Sequence, residues 1–425
     1  RATLDTIGVT LAGAAEPAAA HVRAVARTEG GAPLCTVLGT SLRTSPTWAA
    51  LANGTAGHAH DFDDTSFALM GHPSVPLLAA ILACAEAEMA DGAAVALAYA
   101  VGFEVSATLG AAVNPEHYTR GWHATSTIGT IGCAAAAARV LALDAAQTQH
   151  ALGLAASLAS GLKENFGSMA KPFHAGHAAR NGVFAAMLAR EGFTTSASAL
   201  EGRQGWAAAF SQATLAPSAL DDLGQRWHLL ATGIAVKPYP SCALTHPAID
   251  ALLDLRARHG IAAADVEAVE IGVNRVVPDV LRHDRPTTGL ERKFSMPFCA
   301  AAALATGRVD LAAFAERPVP EAVQALMGRV RMVVDAGLPD GLEQHAWSRV
   351  TVRLHDGRTL QAPPRGASGH PDQPLTDEQL RAKFLACAAP VVGEDEAGAI
   401  AAQIAHLEHV PDIRALTSRL VAAGD

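Results

Sequence analysis

Residues Thr125 to Leu143 read TSTIGTIGCAAAAARVLAL, and this stretch decides the larger part of the fold. Ala favours helix interiors, β-branched runs are scarce, and the pattern closes only at Asp144. The same Ala-rich texture recurs over Pro73–Met89, Ala145–Leu162 and Ala175–Gly192, the last stopped by Arg190, Glu191 and Gly192. Residues from Arg1 to about Leu230 therefore read as stacked helices. Against them stands Val266–Val273, VEAVEIGV, which alternates and is rich in Val and Ile, as a strand does. Val330–Val334 reads likewise, and Val350–Leu354, His355-Asp356-Gly357 and Arg358–Leu360 read as a hairpin with an Asp-Gly turn. Helices are expected between these at about Phe298–Thr306 and Glu321–Met327. A loop rich in Pro and Gly, Pro363–Pro374, leads to Thr376-Asp377-Glu378-Gln379, a capping box opening a helical tail that runs to Ala423. The expected fold is mainly α, with a large all-helical domain over 1–233 and 375–425 and a smaller α+β domain over 234–374.

Composition narrows the function. The chain has 425 residues, half of them apolar and 17% charged, as a packed globular protein has. Its formal charge of −9 and the absence of a basic stripe argue against a nucleic-acid partner. No apolar run approaches the length of a membrane span: Ala93–Phe103 meets Glu104, and Ile131–Ala138 meets Arg139. The start, Arg-Ala-Thr-Leu-Asp, runs into a helical pattern without a signal-peptide layout. Six scattered cysteines without a C-x-x-C pair fit a reducing, cytoplasmic compartment and no zinc or iron–sulfur centre. No dinucleotide fingerprint, Walker A, H-E-x-x-H or G-x-S-x-G occurs, so no cofactor is expected.

Four polar clusters carry the chemistry. The densest is His58-Ala-His60-Asp61-Phe62-Asp63-Asp64-Thr65, followed by Gly71-His72-Pro73-Ser74. Its bland reading is a capped helix start with surface histidines. Its metal reading takes His58, His60 and the carboxylates as ligands of a metallohydrolase. Its third reading is metal-free acid–base chemistry, with an Asp orienting a His. Asp61-Phe62-Asp63-Asp64 also matches the general-acid motif of some terpene cyclases, but 5% aromatics leaves little to line a carbocation pocket. The second cluster is Gly121-Trp122-His123-Ala124-Thr125, where a His before a helix start lies near free N–H groups suited to a carboxylate; the plain alternative is that Thr125 caps the helix and His123 packs on Trp122. The third, Lys171-Pro172-Phe173-His174-Ala175-Gly176-His177 with Arg180, offers positive charge, either to a ligand or to solvent. The fourth, Lys237-Pro238-Tyr239-Pro240-Ser241-Cys242, holds a Lys between an apolar run and prolines, where the texture changes.

Taken in this order, these motifs resemble those of the MmgE/PrpD family, over essentially the whole chain. The family includes 2-methylcitrate dehydratase, cis-aconitate decarboxylase and iminodisuccinate epimerase. The resemblance implies a metal-independent homodimer whose smaller α+β domain acts as a lid over a cleft. It implies Asp61, His72, His123, Lys171 and Lys237 as catalytic residues. One departure stands out. In Lys293-Phe294-Ser295-Met296-Pro297-Phe298-Cys299, decarboxylase-like members carry a Tyr where this chain has Phe298. Val75, in turn, stands where the dehydratase branch usually has Asp.

The expected function is removal or return of a proton α to a carboxylate of a small di- or tricarboxylate, without a cofactor. His123 and His72 are the candidate general base and acid, Asp61 fixes a His tautomer, Lys171, Lys237 and Arg180 neutralise charge, and Lys237 is an alternative acid. His60, Thr125, His174, Tyr239 and Phe298 join Arg180 as candidate substrate contacts. A dehydratase-type lyase is placed first, an epimerase second, and a decarboxylase lower because of Phe298. The partners expected are a small anionic substrate and a second copy of the chain.

Overall fold

The computed structural model describes residues 1–211, 215, 220–339 and 346–423. They divide into two units: Arg1–Asn165, Met169–Val236 and Thr376–Asp425 form the first, and Phe166–Ser168 with Lys237–Leu375 the second. The fold is mainly α, with a small four-stranded mixed sheet in the second unit and a two-stranded antiparallel pair, Cys35–Thr36 with Arg43–Thr44, in the first.

The helices of eight residues or more in the first unit are α1 (Ala2–Gly13), α2 (Pro17–Glu29), α3 (Pro46–His58), α4 (Ser74–Glu88), α5 (Gly92–Val113), α6 (Ala124–Val140), α7 (Ala145–Leu158) and α8 (Ala170–Arg190). The tail adds α11 (Asp377–Val392) and α12 (Glu394–Ile404). α4 is buried from Ser74 to Glu86 because it is apolar all round. It packs on α3, α5, α6 and α8, and α11 closes over α1. Small residues let these backbones approach closely. A Cβ at Gly176 of α8 would fall 2.2 Å from the Leu51 carbonyl oxygen of α3. α5 is the one described helix long and apolar enough to cross a membrane by length and composition alone. Glu104, at which the sequence pattern was expected to break, lies buried inside it, and its carboxylate accepts the backbone N–H groups of His228 and Leu229.

The second unit holds α9 (His246–His259), α10 (Met296–Thr306) and a four-stranded sheet. Its strands are β1 (Val266–Val273), β2 (Val330–Val334), β3 (Ser348–Leu354) and β4 (Thr359–Arg365), in the order β2-β1-β3-β4. β1 runs parallel to β2, with Val269 opposite Val330, and antiparallel to β3, with Ile271 opposite Val350. The Val/Ile alternation places Val266, Val269, Ile271, Val350 and Val352 in the core of this unit.

Candidate active site

α3 ends on His58, and the chain then turns through Ala59–Pro73 before α4 begins. That turn carries the carboxylates. Asp61 is in the left-handed region, φ 50°, a conformation that costs a non-glycine residue roughly 1 kcal/mol unless its surroundings hold it. Its carboxylate Oδ1 accepts from Lys171 Nζ at 2.9 Å and lies 3.4 Å from His72 Nε2. Asp63 faces two rings: His58 Nδ1 is 2.9 and 3.0 Å from its two oxygens, and His72 Nδ1 is 3.0 Å from Oδ2. Lys171, in the first turn of α8, completes the loop by reaching His58 Nε2 at 3.0 Å. All five groups are buried.

This geometry fixes protons. An ammonium has donors only, so His58 Nε2 accepts from Lys171 and His58 Nδ1–H donates to Asp63. His58 is therefore neutral, in agreement with its pKa: burial pushes it down to about 4, Asp63 opposes, and Lys171 adds to the depression. Burial works against ionisation of Asp63, but the facing His58 and His72 rings prevail and hold its carboxyl well below the usual range. His72 lies between two carboxylates, with each ring nitrogen facing one of them.

A second pair adjoins the first. His123 precedes α6 with extended backbone, and its Nδ1 lies 3.0 Å from Nδ1 of His174 in α8. One of these nitrogens must donate and the other accept, so the pair shares one proton between the facing positions. Burial depresses both rings, His174 to about 4 and His123 further, with His174 and Lys171 adding to the effect on His123. His58 links the two groups. Its ring meets His72 edge-on at 4.4 Å and stacks on His123 at 5.9 Å between centroids. The His72 backbone N–H donates to Thr125 Oγ1 at 2.9 Å, which ties the turn to the start of α6. Gly71 permits this approach, because a Cβ there would sit 2.9 Å from the Thr125 nitrogen.

His58, Asp61, Asp63 and His72 also offer ligand atoms that all lie within 4.8 Å of one another. Lys171 already puts an ammonium against two of these residues, His58 and Asp61, so a metal ion would have to compete with a cation that the fold builds in.

Of the residues expected from sequence, Asp61, His72, His123, Lys171 and His174 come together here, all in the first unit. Thr125 serves as an anchor for the His72 backbone rather than a free hydroxyl. His60 differs from expectation: its Nε2 lies 3.2 Å from the Ala12 carbonyl oxygen and 3.8 Å from Glu16, so it binds α1 and the turn that follows. Arg180 also departs. It is exposed, with its guanidinium 5.5 Å from the Trp48 ring centre. It follows His174 by six residues, and 100° per residue carries it to a different side of α8. In the second unit, Lys237 is buried, and the Tyr239 hydroxyl donates to Asp250 at 2.6 Å. Phe298 is a core residue of α10, 2% exposed and packed on Phe314, so it is a poor substrate contact. The expected site omitted His58 and Asp63. Of Asp63, Asp64 and Thr65, the residues that a capped helix start would use, Asp64 accepts the Ser74 N–H and hydroxyl at the start of α4, whereas Asp63 faces the two rings. The available signal was the five-residue spacing from His58 to Asp63 across a helix end.

Residues 1–217 match the MmgE/PrpD N-terminal domain and residues 239–409 the MmgE/PrpD C-terminal domain. The chain belongs to the MmgE/PrpD family of enzymes. It is 31% identical over 394 residues to the cis-aconitate decarboxylase of Homo sapiens, covering 89% of this chain and 80% of that protein. It is 29% identical over 434 residues to the Mus musculus cis-aconitate decarboxylase, covering 99% and 88%. A cis-aconitate decarboxylase-like protein of Aspergillus oryzae (strain ATCC 42149 / RIB 40) is 28% identical over 413 residues, covering 90% and 84%.

Proposed function

We propose that this protein is a cofactor-independent lyase that removes carbon dioxide from an unsaturated tricarboxylate of the cis-aconitate type. The observation that carries the reading is the buried Lys171–His58–Asp63–His72–Asp61 cluster beside the His123–His174 pair, in a chain whose similar relatives are named decarboxylases. The order of activities expected from sequence is thereby changed, with the decarboxylase moved to first place.

Loss of carbon dioxide from the saturated arm of such a substrate leaves an electron pair that forms a new double bond. The original double bond shifts its electrons to the far carbon, which must take a proton. His72, held between Asp61 and Asp63, is the proposed donor. Asp61 and Asp63 carry two negative charges, and Lys171 with a protonated His72 balances them, so an anionic substrate meets no net repulsion from the cluster. The neutral His123–His174 pair is the proposed contact to a substrate carboxylate. Lys237 is proposed as a further proton carrier on its chemistry alone. His123→Ala is expected to lower turnover at least about a hundredfold, and a smaller loss measured by steady-state kinetics removes it from the mechanism.

The sequence departure at Phe298, a core position and not a substrate contact, keeps a second reading. In it a dehydratase acts on a hydroxylated tricarboxylate, with a neutral ring of the His123–His174 pair taking the α proton and His72 protonating the hydroxyl that leaves as water. Proton NMR in D₂O on chelator-treated protein, with cis-aconitate, 2-methylcitrate, citrate and iminodisuccinate, separates the two. A deuterated product one carboxylate shorter supports the decarboxylase, and a new alkene with its carboxylates intact supports the dehydratase. Label exchange between isomers points to an epimerase. Activity restored only by added metal overturns the metal-free mechanism.

A further inference from the structure

The backbone between the two site carboxylates is held from the far end of the chain. Lys383, in α11, donates to the Phe62 carbonyl oxygen at 2.7 Å. The same ammonium lies 2.6 Å from Asp5 Oδ1 of α1 and 3.9 Å from the centre of the Phe62 ring, which covers it. Asp5 and Phe62 are both buried. Phe62 separates Asp61, which meets Lys171 and His72, from Asp63, which meets His58 and His72. A shift of this one peptide therefore moves both carboxylates against three partners. Asp61 also keeps its left-handed backbone only while its surroundings hold it.

The choice of residue points the same way. Only five of the 32 basic side chains are Lys, and none of the five is exposed. At Lys383 a compact ammonium meets a carbonyl oxygen, a carboxylate and a ring face at once, which a planar guanidinium does not reproduce.

We propose that Lys383, anchored by Asp5, is a positioning residue that sets the Asp61–Asp63 turn through the Phe62 carbonyl. The inference rests on the reading of this cluster as the active site. The test is the double variant Asp5→Asn/Lys383→Met, which removes both members of the buried pair together and so avoids an isolated buried charge. It is expected to unfold within about 5 °C of the wild type. Turnover is expected to fall about tenfold or more, with KM changed by less than about threefold, because the turn loses its register and not its substrate contacts. The side-chain ¹⁵N resonances of His58 and His72, assigned by single substitutions, are expected to move. Wild-type turnover together with unmoved imidazole resonances overturns the proposal. If the wild type turns over none of the carboxylates, the functional reading fails, while the imidazole resonances still decide the positioning role. Should the double variant not fold, Asp5→Leu/Lys383→Met, apolar on both sides, is read by the same two measurements.

Discussion

His58 shows how two neighbours dictate the state of a third. Lys171 on one nitrogen and Asp63 on the other leave it a single neutral tautomer, so its ring acts as a fixed link between His72 and His123. The demand on Lys171 is geometric as well as electrostatic: its nitrogen must reach one ring and one carboxylate, both within 3.0 Å. Lys171→Met is therefore expected to lower kcat at least about a hundredfold through loss of a preorganised charge. Lys171→Arg is expected not to restore it, because a planar guanidinium cannot occupy the position of a compact ammonium. Steady-state kinetics of the two variants checks this, and an active Arg variant would contradict the geometry. At this scale the sequence was half legible. The motif residues were visible as types, whereas the pairings between His58 and Asp63 and between His123 and His174 join segments that no local pattern connects.

The helices set how closely those residues meet. α3 delivers His58 at its last position and α8 delivers Lys171 and His174 in its first turns, and the two helices touch through glycines. A Cβ at Gly54 would lie 2.7 Å from the Gly176 Cα, and one at Gly176 would lie 2.4 Å from Thr55 Oγ1 as well as against the Leu51 carbonyl. Gly176→Ala is expected to destabilise the protein by about 2 kcal/mol or more, since the backbones must part to admit the methyl group. Denaturant unfolding checks this, and a loss below about 0.5 kcal/mol would show that the contact yields easily. Element types were legible wherever periodicity was strong: Val266–Val273, Val330–Val334 and Glu321–Met327 have the expected bounds, and Thr376 opens α11 with the expected capping box. The start of α8 was not. The Ala-rich texture reads as a helix from Ala175, but α8 begins at Ala170, because Pro172 in the first turn removes only a donor that has no partner there. That difference puts Lys171 on the same helix as His174, and so fixes their spacing.

For the molecule as a whole, the buried titratable groups act in opposite directions on stability. Burial holds His58, His117 and His174 down to about 4 and His123 lower. The unfolded chain takes up their protons first, so stability falls as pH drops from about 6.5 towards 4. Asp64 has the other sign. Burial, reinforced by Asp5, pushes its carboxyl up to about 8 against the Ser74 hydrogen bonds. The folded form keeps a proton that the unfolded chain has lost, so this contribution is complete below the unfolded value of 3.8 and gone once pH passes about 8. Asp5, also raised by burial, acts in the same direction. These four histidines, joined by His177, which burial also lowers, outweigh the two carboxyls on the acid side. Above about pH 6.5 the carboxyls pull stability down, and buried thiols that burial raises join them towards pH 9. Thermal unfolding across pH 4 to 9 is expected to peak near about pH 6.5, and Asp64→Asn is expected to flatten the decline between about pH 7 and 8. A wild-type curve still rising over that interval would contradict the assignment.

The inward placement of Lys makes the protein its own reporter of opening. Lys171 and Lys383 are enclosed in the first unit, Lys237 and Lys293 in the second, and the ammonium of Lys163 rests 3.6 Å from the Tyr118 ring centre. An acylating reagent that attacks side-chain amines would find almost nothing to modify on the folded chain, and each modified lysine would record an excursion that exposed it. Acylation followed by mass spectrometry in rising denaturant would then give the order of opening lysine by lysine, one pair for each unit, with no engineered label.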